Sequence, residues 1–177
     1  MAEVERYYEA AVAGDAAWGE CAVLLHHDFA SFAARAFREL NPRTPFWMNW
    51  HAELIAAKLA AVREGRIRRL MVCVPPRHLK SLLASVCFPA WCLGHDPSAQ
   101  LLCVAYAQDL ADKLSRDCRR IVASEWYRRV FPTRLSASRQ PMAEFETRAQ
   151  GCRLATSVGG LSGRGADPSA TKLLIDC

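Results

Sequence analysis

Leu70-Met-Val-Cys-Val-Pro-Pro-Arg-His-Leu-Lys-Ser-Leu-Leu-Ala-Ser-Val-Cys-Phe-Pro-Ala-Trp-Cys-Leu93 decides the reading of the fold. Five apolar residues, 70–74, follow Arg66, Arg68 and Arg69 and read as a buried strand. Pro75 and Pro76 end it, because proline has no N–H for a ladder and holds its predecessor extended. A short loop follows, then a helix from about Lys80 to Leu93. Downstream, Gly94-His-Asp-Pro97 is a turn and Leu101 to Tyr106 a second continuous apolar strand. A helix over 108–124 turns Leu110, Leu114, Cys118, Ile121 and Val122 inward and Lys113, Arg116 and Arg120 outward. Glu144 to Thr147 and Arg153 to Val158 read as short strands paired around Gly151, Gly159 to Gly165 as a loop, and Lys172 to Asp176 as a last strand.

Upstream, Asp28 can cap a helix whose apolar positions are Phe29, Phe32, Ala33, Ala36, Phe37 and Leu40, a core-facing stripe. Asn41-Pro42 stops it. Asn49 caps a second helix through about Glu64, closed by Gly65. Residues 1–27 look helical but weakly patterned. Strands alternating with helices predict an α/β domain with a mainly parallel sheet flanked by helices, 46–177, behind an N-terminal helical segment, 1–45.

The 177 residues suit about one domain, long enough to bury a core without disulfides or metals. With 51% hydrophobic and 23% charged residues the composition is that of a folded globular chain. A net charge of +5 is compatible with a polyanionic partner without pointing to one. No apolar run reaches the roughly 18 residues of a membrane span, and the acidic N-terminus is not a secretory signal, so an intracellular chain is expected. The eight cysteines form no CxxC pair and no zinc-type cluster; they read as small buried hydrophobes.

Val74-Pro-Pro-Arg-His-Leu-Lys-Ser81 lies where a P-loop would: a strand ends, the backbone turns, and Lys-Ser opens a helix. Such a loop needs N–H groups and a helix N-terminus facing phosphates, a lysine for the β and γ oxygens and a hydroxyl for Mg²⁺. Lys80 and Ser81 supply the last two, and residues 77–81 must form the cradle because the prolines have no N–H to give. Val74 and Leu79 stand where the pattern has glycine, so Lys-Ser beginning an ordinary helix is the competing reading. About 95 residues on, Leu173-Leu-Ile-Asp176 has the form of a Walker B strand, whose terminal acid holds Mg²⁺.

From Asp28 to Asp176 the sequence resembles the N-terminal ATPase domain of the phage terminase large subunit, the motor that packs DNA into procapsids. The matching stretches are Phe29 to Phe37, Trp50-His51, Pro75 to Ser81, Phe88 to Pro97, Ala105 to Leu110, Glu125 to Pro132 and Val158 to Asp167, in that order. The resemblance implies a P-loop NTPase fold of the ASCE type, with ATP and Mg²⁺ as ligands. It makes Arg77, His78, Leu79, Lys80 and Ser81 a deviant Walker A. Lys80 would lie on the phosphates, with Ser81 and Asp176 on Mg²⁺. Trp50 and His51 would contact adenine, and Arg164 would be an arginine finger for a neighbouring subunit's ATP. It further implies double-stranded DNA, a small terminase subunit, a portal protein and a homo-oligomeric ring as partners. The place of action would be the bacterial cytoplasm, at the procapsid portal. Residues 113–139 hold eight Lys/Arg against Asp117 and Glu125, a stretch that suits DNA phosphates or a solvated helix face. Trp126 and Tyr127 read as packed rather than base-stacking.

The sequence also departs from that pattern. The family's Walker B ends in two acids, the second activating the attacking water; here Cys177 follows Asp176, and a thiol is no substitute at neutral pH. A threonine expected between Gly160 and Leu161 is missing, and 168–172 looks inserted. The chain therefore reads as a terminase ATPase domain cut at Walker B, without the nuclease domain. It is expected to bind nucleotide with little turnover and to be prone to aggregation through unpaired sheet edges. The rival reading is a non-catalytic α/β remnant or nucleic-acid-binding module with no nucleotide site.

Overall fold

The structure, a computed structural model, describes residues 15–137, 144–157 and 171–176. Three helices open it: α1 (Asp15–His27), α2 (Phe29–Leu40) and α3 (Trp50–Arg63). A π-helical stretch (Leu82–Cys87) runs directly into α4 (Phe88–His95). Then come β1 (Gln100–Ala105), α5 (Gln108–Ala123), α6 (Glu125–Val130), β2 (Glu144–Glu146), β3 (Cys152–Ser157) and β4 (Thr171–Asp176). The sheet order is β2-β3-β1-β4, with β3 and β4 parallel to β1 and β2 antiparallel to β3. The molecule is thus a mixed α/β fold with an N-terminal helical segment.

Local signals act as their chemistry requires. The Asp28 carboxylate accepts from the Ser31 N–H at 2.7 Å and starts α2. Asn41 ends it with both its backbone N–H (2.8 Å) and its side-chain amide (3.1 Å) on Phe37 O. Gly65 closes the α3 end at φ +76°, a conformation glycine reaches without steric cost. Asn49 precedes α3, but its side chain makes no capping bond.

The core is aromatic. Phe29, Phe32, Phe88, Trp91, Tyr127 and Phe131 are all buried and meet edge-on or tilted, with ring centroids from 4.9 Å (Tyr127–Phe131) to about 6 Å. The Tyr127 hydroxyl donates to Ala90 O at 2.8 Å, and Thr133 Oγ1 donates to Leu93 O at 2.6 Å, which ties the α6 region to α4. Cys21, Cys87, Cys92, Cys103 and Cys118 are buried as expected, and burial pushes the Cys118 thiol up to about 12. Cys73 is exposed, contrary to that expectation.

Three features correct the sequence reading. Residues 70–74 join no ladder: Leu70, Val72 and Val74 lean on the core while Met71 is 86% exposed. Their alternation is that of a half-buried segment, whereas a central strand would be buried on both faces. The helix after the loop is π-wound over Leu82–Cys87, and α6 forms where no helix was assigned. Fully buried Arg153 on β3 donates through Nη2 to Ser85 O in the π stretch at 2.9 Å. Among the described residues no helix is long and apolar enough to cross a membrane.

Candidate functional site

Residues 74–82 line a concavity of about 410 Å³. Its loop contains no glycine, yet Arg77 and Leu79 both take left-handed φ values, +65° and +62°, while His78 between them does not. For an L-residue that conformation costs roughly 1–2 kcal/mol, and it persists only where surrounding contacts enforce it. Where right- and left-handed helical residues alternate, successive N–H groups can converge on an anion. Leu79 occupies the P-loop position of the glycine before lysine, and its backbone takes the conformation that glycine adopts freely.

A local side-chain contact accompanies this backbone. His78 Nδ1 lies 3.1 Å from Pro75 O and 3.0 Å from Pro76 O. Carbonyl oxygens only accept, so Nδ1 carries the hydrogen and donates to both. Helical winding begins at once: Lys80 and Ser81 are helical and half-buried, and Leu79 O accepts from Leu83 N at 2.9 Å. The positive end of the helix therefore opens on the concavity. The π stretch packs against β4, α3 and α5, which fixes the loop over the sheet.

Trp50 and His51 form the first turn of α3, and the structure brings them to the loop. The His51 ring meets the His78 ring edge-on at 5.2 Å, and Trp50 meets His51 at 5.9 Å while remaining 77% exposed. An aromatic pair thus stands against His78, which lines the concavity. Asp176 ends β4 in register with Ala105 of β1, whose other register partner is Ser157 of β3. Three strands therefore finish level at their carboxyl ends, the edge where open α/β sheets take ligands. Arg164 and the side chain of Asp176 lie outside the described residues.

Sequence reasoning missed the bonds from His78 back to Pro75 and Pro76, whose only signal was a donor side chain two and three residues after prolines. It also missed Tyr106, 71% exposed just past the carboxyl end of β1, because exposure follows from packing. The basic stretch is largely engaged within the fold. Lys113 pairs with Asp117 (3.0 Å), Arg120 donates to Glu39 O (2.9 Å), and the Arg129 guanidinium lies over the Trp18 ring at 4.5 Å. Arg134 donates to the carbonyls of Phe131, Thr133 and Arg128. Trp126 and Tyr127 are buried, as expected. Among the described residues no three His, Cys, Asp or Glu side chains are grouped to hold a metal ion. Compared with protein-family models, curated proteins and solved structures, the chain matches none significantly.

Proposed function

We propose that this chain binds the polyphosphate of ATP, with Mg²⁺, as the nucleotide-holding part of a DNA-packaging motor of the terminase large-subunit type. The observation that carries the nucleotide reading is the loop: a glycine-free turn held in alternating hand over a concavity, ending in Lys80 and Ser81 at a helix start. The N–H groups of 77–81 would cradle phosphate oxygens, Lys80 would neutralise the β and γ groups, and Trp50 with His51 would flank the base. Ser81 and Asp176 would hold the cation, which when bound offsets phosphate charge as it builds up on transfer. Arg164 would serve a neighbouring subunit in a ring. Duplex DNA, a small subunit and a portal come with this reading, as does action in the bacterial cytoplasm. Cys177 leaves the position after Asp176 without a water-activating carboxylate, so turnover should be low.

One observation favours the rival, an α/β module without a nucleotide site: residues 70–74, which precede the loop, join no strand of the sheet. Titration of the full chain with a fluorescent ATP analogue and Mg²⁺ separates the two. Saturable binding lost in Lys80→Ala supports the nucleotide site. Absence of binding, or binding that Lys80→Ala leaves unchanged, overturns it.

A further inference from the structure

We infer that His78 is the positioning residue of this loop: by donating Nδ1–H to the carbonyls of Pro75 and Pro76, it holds Arg77 and Leu79 in the left-handed backbone that glycines supply in other phosphate-binding loops. The purpose of the brace rests on the nucleotide reading above; its geometry does not.

The two prolines have φ fixed near −65°, which presets the direction of their carbonyls. One ring N–H reaching both of them, at 3.1 and 3.0 Å, closes the chain on itself over four residues. With 75, 76 and 78 tied together, Arg77 must absorb the bend, and its φ of +65° is where the bend appears. Leu79 then takes the opposite hand to His78, so that the helix can begin at Lys80. The ring is also steadied from outside, because His51 of α3 packs its edge against it. His78 thereby joins the aromatic platform of Trp50 to the phosphate loop. Among side chains of similar reach, asparagine can place an N–H where Nδ1 stands, whereas glutamine places it nearer the Nε2 position.

The test uses the full chain. Long-range ¹H–¹⁵N spectra should show His78 in the Nδ1–H tautomer, and an Nε2–H tautomer overturns the brace. Affinity for a fluorescent ATP analogue with Mg²⁺ should fall about tenfold in His78→Ala and His78→Gln but stay within about threefold in His78→Asn, the range one hydrogen bond spans. Adding Leu79→Gly to His78→Ala should restore binding, since glycine needs no brace. If His78→Ala binds like the unaltered chain while Lys80→Ala does not bind, the brace is wrong and the nucleotide site stands. If the unaltered chain binds no nucleotide, that site is wrong. The brace is then decided by the tautomer and by whether His78→Ala/Leu79→Gly melts higher than His78→Ala.

Discussion

Among the described residues two turns hold left-handed non-glycine residues, and they do so in opposite settings. One is the 75–79 loop, with Arg77 and Leu79; the other is the 147–151 turn between β2 and β3, where Gln150 has φ +66°. Each is closed by a side chain on proline carbonyls. Thr147 Oγ1 donates to Pro97 O and accepts from Gly151 N at 3.1 Å, as His78 donates to Pro75 O and Pro76 O. Thr147 and Gly151, however, are buried. A Cβ on Gly151 would come within 2.2 Å of Pro97 O, so that turn is shaped by the close approach of two backbones. The brace of the 75–79 loop is exposed and borders a concavity. Packing accounts for the shape of the 147–151 turn; in the 75–79 loop Leu79 leans on the core, but Arg77 and the bracing ring of His78 are exposed. Strain kept at an open surface is what a pre-shaped binding loop needs.

Breaking the buried turn should have the largest effect. Gly151→Ala forces backbone against backbone and should destabilise the fold by about 3 kcal/mol or more, read from urea unfolding midpoints. Lys80→Ala should cost about 2 kcal/mol or more of nucleotide binding while the chain still unfolds cooperatively. If it unfolds the chain instead, the loop is structural like its counterpart. Thr147→Val strands the buried Gly151 N–H and the half-buried Pro97 carbonyl and should cost about 1–3 kcal/mol of stability. Gln150→Gly, on the exposed corner of the same turn, should stabilise by up to about 1 kcal/mol, because glycine meets no steric penalty there.

Acid probes a third place and leaves both turns as references. His95 donates Nε2–H to His26 O at 2.9 Å, and burial, with Arg63 and His26 beside it, pulls its pKa down to about 4. His27 adds to the same local charge. Between about pH 6.5 and 4 the unfolded chain therefore binds the proton that folded His95 refuses. Stability should be full above this window and fall as the pH drops through it. A His95→Gln variant should show a shallower fall in urea titrations over that range. An unchanged pH profile would place the acid sensitivity elsewhere.

Much of the fold was legible because its signals are local. Asp28, Asn41 and Gly65 act through their own side chain or φ, and the apolar runs of β1 and β4 and the Gly151 turn lie within two residues of where periodicity put them. Residues 70–74 were not legible. An apolar run between arginines and prolines has a strand's composition, but pairing is a tertiary outcome, and here only Leu70, Val72 and Val74 reach the core. For the site, the Lys-Ser pair and the missing glycines could be read directly. That leucine would take a glycine's backbone could not, since the proposed brace needs a ring placed over two carbonyls. The meeting of His51 with His78 likewise depends on how α3 lies against the loop.

The π-helical stretch between Ser81 and α4 has a consequence for how this chain can change. A π turn takes one residue more than an α turn and behaves as an insertion absorbed within a helix. Each residue of an α-helix turns the chain by about 100°. In a plain α-helix the loss of one residue would rotate Lys80 and Ser81 by about that angle relative to Phe88 and Trp91. Here the wide turn can give up its extra residue and rewind as α-helix, so that the loop keeps nearly its direction while Phe88 and Trp91 keep their seats in the core. A one-residue deletion within 82–87 should therefore leave both the fold and the facing of the loop largely intact.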